Sequence, residues 1–120
     1  MHTTKEHNDR IAKITFAGVY PLYLAKVNKK NRTKEELHTV IQWLTGFDDK
    51  DIQDCIESNM TFTTFFEKAN LHQNATLITG TICGYRIEDI ENPLTKKVRY
   101  LDKLVDELAK GRPLEKILRK

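Results

Sequence analysis

One stretch constrains the fold more than any other, Leu77 to Gly111: LITGTICGYRIEDIENPLTKKVRYLDKLVDELAKG. Its second half predicts the longest helix in the chain, about 93–110. Asn92 can accept a backbone N–H that the first helical turn leaves unpaired. Pro93 then stands where a missing N–H costs nothing. Gly111 supplies a left-handed terminator, and Pro113 prevents continuation. Leu94, Val98, Leu101, Val105 and Leu108 recur at alternating spacings of four and three, and Leu104 widens the stripe. Such a stripe has to be buried against other helices. At about 1.5 Å per residue the helix spans roughly 27 Å, the width of a small domain. The preceding segment, 74–83, predicts a shorter helix carrying Leu77, Ile78 and Ile82. Gly80 and Gly84 would then share one face against a neighbouring backbone, with Gly84 as a left-handed cap.

The rest of the chain produces helix signals and almost no strand signals. After a loose start up to about Asn8, Asp9 is expected to cap a helix with Ile11, Ile14 and Gly18 inward. Pro21 disfavours helical geometry at Tyr20, so a break is expected there. A second helix then runs to about Lys30, burying Leu24 and Val27. Thr33 and Glu36 form a capping box ahead of Leu37, Val40, Ile41 and Leu44. Gly46 ends that helix, and Trp43 lies off its stripe, at the edge of the core. Asp48 caps a helix with Ile52, Cys55 and Ile56 on one face. Thr61 starts another whose Phe62, Phe65, Phe66 and Ala69 form a core stripe. Pro113 opens a last short helix with Leu114, Ile117 and Leu118. These signals specify an all-α fold: a compact single-domain bundle of about six to eight helices, mostly short, around the long one.

A chain of 120 residues can bury such a core without disulfides or metals. Apolar and charged fractions of 39% and 31% are those of a soluble globular chain. The longest apolar run, Phe16 to Ala25, is too short to span a bilayer, and the polar start MHTTKEHNDR lacks a signal-peptide core. Cys55 and Cys83 both fall at apolar helical positions and are expected as buried free thiols. The expected compartment is the cytoplasm.

Two long runs, TFAGVYPLYLAKVNKKNRTKEELHTVIQWLTGF and ITGTICGYRIEDIENPLTKKVRYLDKLVDELAKG, resemble a family of small bacterial proteins. It is the domain-of-unknown-function family numbered twenty-two hundred. The resemblance runs from about Thr4 to Lys120. It implies an all-α fold and a bacterial cytosolic setting, and it implies no activity and no site residues.

The chemistry has to be weighed residue by residue. A nucleophile needs a base within reach. The candidates are Cys55, Cys83 and the histidines His2, His7, His38 and His72. None falls in a recognisable catalytic motif, and His38 is expected to be a partly exposed surface residue. Asp49, Asp51 and Asp54 hint at a calcium loop, but Asp54 stands where glycine is required and Met60 where glutamate is. No cofactor, metal or catalytic residue is predicted. Lys26, Lys29, Lys30, Arg32 and Lys34 form a candidate nucleic-acid patch, and Lys110, Arg112, Lys116, Arg119 and Lys120 a basic tail. Acidic groups at 48–57 and 88–91 offset them, leaving a net charge of +3. Ile78 to Ile90 has a loose helix-turn-helix look, but Glu88, Asp89 and Glu91 would face the DNA and repel it. This acidic turn is expected to be a counter-charge for Lys96 and Lys97 at the start of the long helix. Trp43, Tyr85, Arg86 and Tyr100 are candidates for a partner surface. The leading reading is a non-catalytic interaction protein that binds a protein partner or itself. The alternatives are nucleic-acid binding through basic patches and an enzyme without a recognisable motif.

Overall fold

The computed structural model describes residues 4–120. The looseness expected of the first residues falls partly on 1–3, outside the described residues; Thr4 is an extended cap, and the chain is helical from Lys5 to Lys13. Seven helices are present among the described residues: α1 (Lys5–Lys13), α2 (Phe16–Asn28), α3 (Lys34–Thr45), α4 (Asp49–Glu57), α5 (Phe62–Lys68), α6 (Pro93–Ala109) and α7 (Leu114–Ile117). No helix among the described residues is long and apolar enough to cross a membrane.

The long helix is the centre of the molecule. Asn92 accepts the Thr95 N–H at 2.9 Å and Pro93 opens α6, while Gly111 takes a positive φ beyond its end. Leu101, Leu104 and Leu108 are wholly buried, and α6 packs against α1, α2, α3, α5 and α7. The capping boxes at Thr33/Glu36 and Asp48/Asp51 and the left-handed Gly46 form as their residue types dictate. Phe62, Phe65 and Phe66 are core, with Phe65 stacked on Phe16 at 4.7 Å.

The first break lies elsewhere than expected. Thr4, not Asp9, caps α1. The chain interrupts at Ile14–Thr15, where Thr15 and Thr61 form an isolated antiparallel bridge. The Phe62 N–H donates to the Ile14 carbonyl at 2.9 Å, and the Phe16 N–H donates to Met60 at 2.8 Å. Two helices thus start side by side. Each has a threonine cap, and the capped turn outweighs the proline signal. Pro21 sits inside α2 on its exposed side, so water can serve the carbonyl whose donor the ring removed.

The second departure is a hairpin. Residues 74–83 do not form a helix: a short 3-10 turn at Ala75–Leu77 leads into β1 (Thr81–Ile82), which pairs antiparallel with β2 (Tyr85–Arg86) in the register Thr81↔Arg86 and Ile82↔Tyr85. Cys83 and Gly84 form the two-residue turn with φ of 53° and 82°, the geometry that matches strand twist. Thr76, Ile78, Thr79, Thr81 and Ile82 are β-branched and lose rotamer freedom in a helix. Gly80 is also left-handed, and Gly84 has open space around it. The two glycines therefore serve backbone conformation and not close packing. Buried Ile82 and Ile87 seat the hairpin, and the Lys103 ammonium of α6 donates to the Thr81 carbonyl at 3.0 Å.

Candidate functional site

An apolar recess of about 590 Å³ lies where α1, α2 and α6 meet. Its walls are Ile11, Ile14, Val19, Leu22, Phe62 and Val98. Helical spacing places Val19, Leu22 and Tyr23 on one side of α2, and the early break leaves Ile14 at the rim. A polar network borders the same space. Arg99 donates to Asp102 at 2.8 Å, and the Tyr23 hydroxyl donates to the other Asp102 oxygen at 2.6 Å. The second terminal nitrogen of Arg99, Nη2, points at His7 Nε2 across 3.4 Å. The guanidinium lies 5.7 Å from the Tyr85 ring centre, a cation–π contact. Arg99 Nε is the one buried side-chain polar atom among the described residues with no hydrogen-bond partner.

The protonation states follow from the surroundings. Burial, helped by the Arg99 and Arg10 cations, lowers the His7 pKa, so the imidazole is neutral at neutral pH. Burial and the Asp102 carboxylate push Tyr23 well above the ordinary phenol range. Arginine can only donate, so His7 Nε2 accepts and the ring proton sits on Nδ1. The cleft thus combines apolar walls with two cations, Arg10 and Arg99, against one carboxylate, Asp102. Of its polar residues the sequence singles out His7, as a candidate base and not as part of a binding cleft. The available signal was Arg99 and Asp102, a pair three residues apart on the flank of the α6 stripe.

A second constellation joins three helices. The Tyr20 hydroxyl meets His38 Nε2 at 2.5 Å, and His38 Nδ1 meets Asp49 at 3.0 Å. It borders a polar recess of about 440 Å³ between α3 and α4. The arrangement resembles a relay, but the phenol is buried, and burial with Asp49 and Glu35 nearby raises its pKa. A raised phenol is a poor nucleophile. The chain works as a staple across α2, α3 and α4, so His38 is more enclosed than a surface histidine.

The remaining sequence candidates are dispersed. Lys29, Lys30 and Lys34 are exposed. Lys26 pairs with Asp106 at 3.2 Å. Arg32 grips Glu36 and donates to the Leu108 and Arg112 carbonyls at 3.1 and 2.9 Å, capping the end of α6. Its guanidinium is committed within the fold. The two arginines of the basic tail are committed too: buried Glu107 takes Arg119 at 2.7 and 2.8 Å and Arg112 at 3.2 Å, while Lys116 and Lys120 are exposed. Of the partner-surface residues, Arg86 is exposed, Tyr85 is half-buried against His7 and Arg99, and Trp43 stacks on His72 at 4.2 Å. Tyr100 is buried and belongs to no surface, because α6 is enclosed nearly all round along its second half. Cys55 is buried as expected, whereas Cys83 is exposed at the hairpin turn. The helix-turn-helix outline is this hairpin. Glu88 accepts the Gly80 N–H at 3.0 Å and lies 3.8 Å from Arg86. Hydrogen bonds from its own backbone N–H and that of Gly80 hold its carboxyl below the ordinary range, with Arg86 and Lys96 contributing. No group of histidine, cysteine and carboxylate side chains among the described residues has the geometry of a metal site.

A family profile described as an uncharacterised protein conserved in bacteria, DUF2200, matches residues 10–119. The chain belongs to DUF2200. The same fold occurs in the crystal structure of uncharacterized protein SP1917, which is 40% identical with a TM-score of 0.85, over 92% of this chain and 91% of that one. No curated protein matches the chain. The DUF2200 match takes in every lining residue of the α1–α2–α6 cleft except His7.

Proposed function

We propose that this DUF2200 protein is a non-catalytic, cytosolic binding protein that engages a protein partner through the α1–α2–α6 cleft. The observation that carries the reading is the pair of large apolar side chains left uncovered on one rim. Leu22 is 67% exposed and Ile14 39%, and both border an apolar recess. Burying a leucine of this kind contributes about 1.5–3 kcal/mol. The charges select the partner: with Arg10 and Arg99 against Asp102, an apolar segment bearing Asp or Glu is complementary. Both cysteines are free thiols, which suits a reducing compartment. Nucleic acid is the weaker reading, because Arg32, Arg112, Arg119 and Lys26 are already paired within the fold.

The test is a photo-cross-linking residue at position 22, applied in native cytosol with and without nuclease, and mapping of the captured segment. The expected capture is an acidic apolar protein segment, insensitive to nuclease and lost on Arg10→Glu. Nuclease-sensitive capture, or capture indifferent to Arg10→Glu, would overturn the reading. Capture of a second copy of this chain would make the cleft a self-association surface instead.

A further inference from the structure

We infer that the Nε–Nη2 edge of Arg99 is a carboxylate fork, taking the side-chain carboxylate of an acidic residue in the segment bound by the cleft. This deepens the reading of the cleft as a binding site and rests on it. A guanidinium offers a carboxylate two parallel N–H donors from one edge. In Arg99 one terminal nitrogen, Nη1, is held by Asp102 at 2.8 Å, which orients the plane. The side-on edge is almost unused: Nε has no acceptor, and Nη2 has only the long 3.4 Å contact to His7. A buried donor without an acceptor is costly, so an incoming carboxylate gains what the folded chain alone forgoes. Asp102 cannot turn to serve this edge, because its second oxygen is held by the Tyr23 hydroxyl at 2.6 Å.

His7 meets this edge at Nη2 and is displaceable. It stands in the first turns of α1, near that helix's start at Lys5, and it is neutral at neutral pH. Its ring also rests near Tyr85, with centres 5.6 Å apart, a contact it loses on moving aside. Arg10 supplies a second positive charge at the cleft, which offsets repulsion between the incoming carboxylate and Asp102. The apolar walls then receive the rest of the segment. A fork lined in this way discriminates a carboxylate from its neutral amide isostere.

The experiment uses the full 15N-labelled chain and two probes with the same apolar body, octanoate and octanamide, followed through the Arg99 Nε–H resonance. Octanoate is expected to move that resonance downfield and to bind at least about tenfold tighter than octanamide. Arg10→Gln should weaken octanoate roughly threefold and leave octanamide unchanged. His7→Ala should strengthen octanoate, an effect that a purely structural histidine does not produce. Equal binding of the two probes would overturn the fork while leaving the apolar cleft standing. Failure of both to bind at roughly 10 mM, a weak-fragment limit, would also overturn the fork, with cross-linking at position 22 deciding the cleft separately.

Discussion

Glu107 is where a single atom exchange should be felt most. Its carboxylate is buried on the inner side of α6 and receives both terminal nitrogens of Arg119, at 2.7 and 2.8 Å, and one of Arg112 at 3.2 Å. Arg119 also donates to the Ile117 carbonyl at 2.6 Å, so the pair fastens α7 and the C-terminal turn to α6. Glu107→Gln keeps the shape and removes the charge, leaving Arg119 enclosed without a counter-ion. Removing one partner of a buried pair costs about 3–5 kcal/mol. The Arg112 contact is half exposed and adds little, on the order of 0–1 kcal/mol. Arg119 retains one route toward water, so the lower end applies, about 3 kcal/mol. For a chain of this length each kcal/mol moves the melting temperature by roughly 4 °C, so the expected fall is about 12 °C. Urea unfolding followed by circular dichroism measures the loss directly. Glu107→Met combined with Arg119→Met should recover most of it, because an apolar pair of similar volume replaces a buried ion pair at little net cost. A loss for Glu107→Gln below about 1 kcal/mol, or a double variant whose loss is the sum of the two singles, would refute the reasoning.

Gly84→Val should destabilise the hairpin by more than about 1 kcal/mol. A Cβ there would meet nothing within 4 Å, so the cost arises from φ +82° and not from a clash. Gly84→Asn should be milder, since asparagine tolerates the left-handed region, and equal melting of the valine and wild-type chains would remove this account. Glu36 has a pH signature. The Arg32 hydrogen bond, the largest influence, holds its carboxyl below the ordinary range against partial burial. Its folded pKa lies below its unfolded one, so its contribution is present at neutral pH and is lost as pH falls through the depressed folded value. Glu36→Gln should flatten the acid limb of the stability curve between those two values, and an unchanged limb would contradict the assignment.

The parts of this fold that follow local rules were legible in the chain itself. Thr33, Asp48, Thr61 and Asn92 cap the helices they precede. The α6 stripe and the phenylalanines of α5 are buried at their helical spacing. Capping and periodicity act over a few residues, so no knowledge of distant partners is needed to see them. The hairpin was legible only weakly: Thr81, Ile82, Tyr85 and Ile87 flank Cys83–Gly84 as strand residues flank a tight turn, but each strand is two residues long. The break at Thr15 was not legible, because it depends on Thr61, a residue 46 positions away that pairs with it.

The cleft shows the same division. Its apolar walls come from stripes that the sequence displays, but their meeting at one recess is decided by how α1 and α2 cross α6. Whether a charged residue is available was likewise beyond the sequence. Arg32 and Arg119 read as surface bases until packing places the Leu108 carbonyl and the Glu107 carboxylate beside them. Arg99 reads as one more surface cation until Asp102, itself held by the Tyr23 hydroxyl, takes Nη1 and leaves the Nε–Nη2 edge over. Outside 74–83 and the break at Thr15, the sequence by itself determined which segments coil and which faces they bury, since those are near-neighbour effects of sterics and hydration. The tertiary structure decided which charges are spent on distant partners, as Lys26 is on Asp106 and Arg32 on the Leu108 carbonyl, because those contacts join residues far apart in the chain.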